Sequence, residues 1–181
     1  MWWNELLANW NGVFFFDRPE WEPAPDMHIS SDASGKLGYG VFHNNEWFSG
    51  SWTLAQVPMG ITYKELFPIA IACALWGSQW HQKRVQCQCD NASVVAILQA
   101  GTSKDPNIMH LVRLFFLSTA QFNFTVSAVH IPGKQNAIAD ALSRFRFQEF
   151  FRLVPTASPS PTVIPQPLLD RLTSNFLNSE P

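Results

Sequence analysis

The sequence lacks any run of 18 apolar residues, so no stretch of it reads as a membrane span. It also lacks a basic excess: 12 Lys and Arg stand against 14 Asp and Glu, for a formal charge of −2. A chain of that balance has no positive field to hold nucleic acid unaided. Any such affinity has to come from a local site, from metal ions or from a neighbouring domain. Cysteines are few: Cys73, Cys87 and Cys89. Three is the wrong count for a disulfide framework and suits a reducing, intracellular setting, cytoplasmic or nuclear. Cys87 and Cys89 are not half of a structural zinc site, since nothing at the usual spacing supplies two further ligands. Two apart on a strand, they read as core thiols sharing one face. The opening "MWWNELLANWNGVFFF" is no signal peptide, because it has no basic start and Glu5, Asn9 and Asn11 interrupt it. There is no internal repeat.

What is present is a core. Of 181 residues, 46% are apolar and 14% aromatic, enough for one compact domain with length to spare. Residues 1–26 form an aromatic-rich connector ending in "RPEWEPAPD", whose three prolines favour extended chain. Residues 27–150 form the body. Residues 151–167 contain "PTASPSPTVIPQP", with five prolines, and read as a semi-rigid linker. Residues 168–181 read as an amphipathic helical segment that starts a following region.

Within the body, "HISSDAS" alternates as a strand, with His28, Ser30 and Asp32 on one face. "LGYGVFH" and "EWFSGSWT" flank Asn44-Asn45, a hairpin turn because Asn tolerates positive φ. "ITYKELFPIAIACALWGSQW" is helical, with Leu66, Ile69, Ala70, Cys73, Gly77 and Trp80 as a stripe. "RVQCQCD" is a strand, "ASVVAILQA" a helix stopped by Gly101, and Asp105-Pro106 opens another helix through Thr119. "FTVSAVHI" is a strand and "NAIADALSRF" the last helix. Antiparallel strands first and helical crossovers later predict an α/β fold: a mixed five-stranded sheet flanked by helices.

Between residues 28 and 148 the chain carries six acidic residues. Glu46 sits beside the hairpin and Asp105 caps a helix, which leaves Asp32, Glu65, Asp90 and Asp140. Each has a local reading: Asp32 as a turn former, Glu65 as the far half of a capping box with Thr62, Asp90 as an N-cap, and Asp140 on a polar helix face with Asn136 and Arg144. Taken together, two end strands, one opens a helix and one lies a turn into another. Four carboxylates converging at one end of a sheet repel one another unless cations separate them. Hard oxygen ligands of this kind suit Mg²⁺ or Mn²⁺, and a pair of such ions serves phosphodiester hydrolysis.

This order of acids on strand, helix, strand and helix resembles the ribonuclease H catalytic set. "SDASGKLGYG" resembles its first strand and turn, "TYKELFPIAIA" its first helix, and "CQCDNASVV" its central strand running into a helix. "HIPGKQNAIADALSR" is similar to the end of ribonuclease H domains in retrotransposon polyproteins of the gypsy-like and DIRS-like classes. The opening "WWNELLANWNG" and the tail "TVIPQPLLDRL" resemble the flanks of the DIRS-like domain, between reverse transcriptase and recombinase. The resemblance implies a ribonuclease H-like fold in which Asp32, Glu65, Asp90 and Asp140 bind two Mg²⁺ ions, with Mn²⁺ as a substitute. It implies cleavage of the RNA strand of an RNA/DNA hybrid during reverse transcription. His130 matches a histidine assisting proton transfer or product release; the alternative is a strand-end histidine bonded to backbone. Ser34 and Asn91 match substrate contacts, although Asn91 also suits a helix cap. The implied partners are the hybrid, an upstream reverse transcriptase and a downstream recombinase.

Two features depart from the family pattern. Pro68 falls inside the first helix, so that helix is expected to begin after Thr62 or to kink. The stretch between the central helices has only Lys104 and Arg113, without the basic protrusion of stand-alone cellular enzymes. The rival reading is an inert, domesticated module with the same fold and no catalysis.

Overall fold

Three strands open the body as an antiparallel meander: β1 (His28–Ala33), β2 (Gly38–His43) and β3 (Glu46–Ser51). The structure, a computed structural model, describes residues 27–177 together with Asn4, Leu7 and Ala8. The rest of the expected connector over 1–26, and the final four positions of the expected 168–181 segment, lie outside the described residues. Asn44 and Asn45, at φ 47° and 69°, close the β2–β3 hairpin as their tolerance of left-handed backbone predicts. After α1 (Ile61–Trp76), a 3₁₀ turn leads to β4 (Arg84–Cys89). Next come α2 (Ala92–Ala100), α3 (Pro106–Phe122), β5 (Thr125–His130), α4 (Ala137–Ser143), α5 (Phe147–Leu153) and α6 (Gln166–Leu177). The sheet order is β3-β2-β1-β4-β5, with β1–β4 and β4–β5 parallel. The protein is therefore α/β, with the mixed five-stranded sheet and flanking helices of the ribonuclease H-like arrangement. No helix among the described residues is long and apolar enough to cross a membrane.

Local chemistry explains the boundaries. Asp105 caps α3 by accepting from the amides of Asn107 and Ile108, and Pro106 takes the first helical position. Gly101, at φ 65°, ends α2. The start of α1 differs from expectation. Gly60 precedes its first residue, Thr62 lies inside the helix, and no side chain caps it, so Thr62 and Glu65 form no capping box. The helix begins before Thr62, not after it, and continues past Pro68. Burial explains this tolerance: α1 is enclosed along most of its length, so tertiary packing outweighs the hydrogen bond that Pro68 withholds from Lys64.

The sheet carries helices on both faces. Ile29, Tyr39, Val41, Phe48, Val85, Cys87 and Cys89 pack with α1 and α3 in one core, which Leu172 of α6 joins. On the other face, Ala141 and Leu142 of α4 and Phe150 of α5 pack with Trp47. Gly40 lets α4 approach: a Cβ there would overlap Leu142 Cβ and come within 2.9 Å of the Ser143 nitrogen.

Residues 151–167, expected as a linker, follow a different course. Ser158 N donates to Asn45 O and Thr162 N to Trp47 O, each at 2.7 Å, while Trp47 Nε1 donates to Ser158 O at 2.8 Å. Residues 151–153 belong to α5 and 166–167 to α6, and the chain between them lies along the outer edge of β3, covering backbone that would otherwise be an open edge.

Candidate metal centre

The parallel register pairs Ser30 with Gln88, so Asp32, two residues on, lies level with Asp90 just past the end of β4. The β4–β5 register pairs Cys89 with His130, which places His130 beside the same strand end. Two carboxylates at neighbouring carboxyl ends of parallel strands form the base of the site. Glu65, one turn into α1, points in over them.

Electrostatics ties the acids together. Asp32 is 6% exposed and Glu65 4%. Burial pushes Asp32 up to about 6, helped by the charges of Asp90 and Asp140 and opposed by a hydrogen bond from Ser143 and by Arg144. Burial, reinforced by Asp32 and Asp90, pushes Glu65 up to about 9. Ligand atoms of Glu65, Asp90 and Cys89 all lie within 4.8 Å of one another. Cys89 Sγ donates to Glu65 Oε2 at 4.0 Å, and burial pushes the thiol up to about 12. In the metal-free site burial thus holds both the Cys89 thiol and the Glu65 carboxyl toward their neutral forms. Grouped carboxylates beside a single thiol offer mainly oxygen ligands, the donor type of a hard divalent cation.

Asp140 joins this field from α4 but is held differently. Arg144 Nε donates to its Oδ1 at 2.6 Å, and Arg146 Nη2 donates to its Oδ2. Arg146 also pairs with Glu149 at 2.8 Å. The helix that carries Asp140 is fixed to β1 at both ends. Buried Asn136 Nδ2 donates to Ser31 O at 2.9 Å, and the Ser143 hydroxyl donates to Asp32 Oδ2. Gly133 in the preceding 3₁₀ turn passes close to Asp90: a Cβ there would sit 3.2 Å from Oδ2.

The remaining candidates have definite places. His130 is exposed, and its Nε2 lies 3.1 Å from Asp90 O, the backbone bond of its alternative reading. Asn91, not Asp90, caps α2: its Oδ1 accepts from Ser93 N at 3.0 Å and Val94 N at 3.2 Å. Asp90 is thereby released from capping. Asn91→Ala is expected to cost about 1 kcal/mol in urea unfolding, and a neutral variant would refute the cap. Ser34 is buried and turned toward its own loop, accepting from Leu37 N at 3.2 Å.

Sequence reasoning missed the residues that hold the acids. Lys64 Nζ donates to Gly35 O at 2.6 Å and Val57 O at 2.8 Å, and Trp52 Nε1 donates to Ser34 O at 2.7 Å. Together they pin the turn after Asp32. Ser143 was visible only as the residue three beyond Asp140, and Cys89 as the one before Asp90. No protein-family model matches the chain, and no curated protein matches it in sequence.

Proposed function

We propose that this chain is a divalent-metal nuclease domain that cuts the RNA strand of RNA/DNA hybrids during the reverse transcription of a retroelement. The observation that carries the reading is the placement of Asp32 and Asp90 level on adjacent parallel strands, with buried Glu65 held up to about 9 above them. The sequence resemblance supplies the substrate. Divalent ions, when bound, supply an activated water and neutralise the leaving oxygen. Asp32, Glu65, Asp90 and Asp140 would hold two Mg²⁺ ions, or Mn²⁺ in their place. Ser143 orients Asp32 through its hydroxyl, and Asn136 fixes the helix bearing Asp140. His130 stands at the strand end beside Asp90, where a ring nitrogen can take a proton and pass it to solvent. The resemblance assigns substrate contacts to Ser34 and Asn91, whose side-chain oxygens here serve the turn after β1 and the cap of α2. The partners are the hybrid, an upstream reverse transcriptase and a downstream recombinase, in a reducing compartment where the three buried thiols stay free, cytoplasmic or nuclear.

One observation favours the inert module: both oxygens of Asp140 are taken by arginines. Cleavage of a labelled hybrid separates the two readings. The purified chain should cut hybrid RNA in Mg²⁺ or Mn²⁺ and leave duplex DNA and duplex RNA intact, and Asp90→Asn should lower the rate at least about 100-fold. Equal cutting by the variant would sink the assignment, and silence with the polymerase restored would favour the inert module.

A further inference from the structure

The stretch Arg144 to Arg152 reads "RFRFQEFFR". Three of the chain's 12 basic residues fall in these nine positions, so its densest positive charge borders the acidic centre. The local fold displays it. Phe145 N donates to Leu142 O at 3.1 Å and Arg146 N to Ala141 O at 2.8 Å, ending α4 in a left-handed turn with Phe145 at φ 57°. Glycine usually holds that position. Here a bulky residue is kept, and the turn brings Arg146 back over Asp140. Beyond it lies an open hollow of about 520 Å³ lined by Phe145, Arg146, Phe147, Gln148, Glu149 and Arg152. Phe147 is 36% exposed, yet its ring is backed by Trp47 at 5.6 Å and Phe145 at 6.1 Å. Arg152 is exposed and makes no ion pair among the described residues.

We propose that this shelf grips a nucleic-acid strand leaving the acidic centre, with Arg146 and Arg152 on phosphates and Phe147 against a base. The inference rests on the nuclease reading and names the substrate grip of that site. Arginine forks match phosphate oxygens, and a rigid aromatic beside them is the common platform for an unpaired or splayed base. A chain of net charge −2 with an acidic centre repels a polyanion unless cations flank it; here Arg144 and Arg146 are paired with Asp140, and Arg152 stands beside them without an ion pair among the described residues. Arg146 already bridges shelf and centre through Asp140 and Glu149, and a phosphate offers the same guanidinium an equivalent partner.

The test is equilibrium binding of a fluorescent RNA/DNA hybrid in metal-free buffer, where no cutting occurs, over a salt series. Arg152→Gln, at an exposed side chain, should weaken binding about 3- to 10-fold at low salt and flatten the slope of log K against log salt by about 1. Phe147→Ala should weaken binding about 5-fold or more with the slope unchanged, its fold checked by thermal unfolding. Absence of binding by the wild-type chain at low salt would overturn the proposal, as would wild-type affinity and slope in Arg152→Gln. A chain that binds through the shelf but does not cut with metal even with the polymerase restored leaves this inference standing and removes the nuclease reading.

Discussion

Glu65→Gln will make the metal-free protein more stable at pH 8, by about 2–3 kcal/mol, or roughly 5–10 °C in melting temperature for a domain of this size. Near pH 4 the difference will vanish. Glu65 ionises near 4.5 in an unfolded chain but only at about 9 in the fold, and Asp32 moves from 3.8 to about 6. Between those limits the native state holds protons that the unfolded state has lost, so these groups' contribution to stability is complete below about pH 4. It drains away as pH rises toward 9. A glutamine keeps the shape and removes the titration. The acidic centre is thus a liability that the rest of the fold carries, which is common where carboxylates are grouped for metal binding. Thermal melts of wild type and variant at both pH values check this. A variant equally destabilised at pH 4 and pH 8 would mean that Glu65 is an ordinary structural group.

Gly40→Ala will destabilise the fold by about 3 kcal/mol. The new Cβ would meet the Cβ and backbone of Leu142 and the nitrogen of Ser143. These atoms belong to α4, not to the tip of a flexible chain, so the helix itself must move. Moving it draws Ser143 from Asp32 and shifts Asp140, so metal affinity should fall together with stability. Gly35→Ala is the matched control, since no atom lies within 4 Å of its added Cβ. It should stay within about 0.5 kcal/mol of wild type. Urea unfolding of the two variants decides the matter, and equal midpoints would refute the close approach of α4 to β2.

The order of elements was legible as far as α4 because their signals are local, whereas α5, over residues read as the end of the body and the start of a linker, was not. Asn44-Asn45, Gly101 and Asp105-Pro106 each act within a few residues, and each stands where its chemistry put it. The two strand-borne acids were legible for the same reason: alternation ends at Asp32 and at Cys89-Asp90. The start of α1 was not. Thr62 and Glu65 have capping-box spacing, but Glu65 is drawn inward by the sheet and the helix starts earlier. The proline-rich stretch was read from composition as a linker, and composition cannot reveal that the edge of β3 lies within its reach. Ser143, Lys64 and Asn136 act across the fold on Asp32, Gly35 and Ser31, at separations that no periodicity encodes. The arginines on Asp140 sat in plain view at positions four and six beyond it, yet only the turn at Phe145 reveals that the second one folds back.

The central claim is that acids from β1, α1, the end of β4 and α4 make one divalent-metal centre. Mn²⁺ titration followed by calorimetry tests it most directly, with wild type, Asp32→Asn and Asp90→Asn at pH 8. The account predicts saturable binding by wild type, weakened at least about 10-fold in each variant, with both variants folded. Wild-type affinity in both variants, or no binding by the wild-type chain at millimolar Mn²⁺, would contradict it.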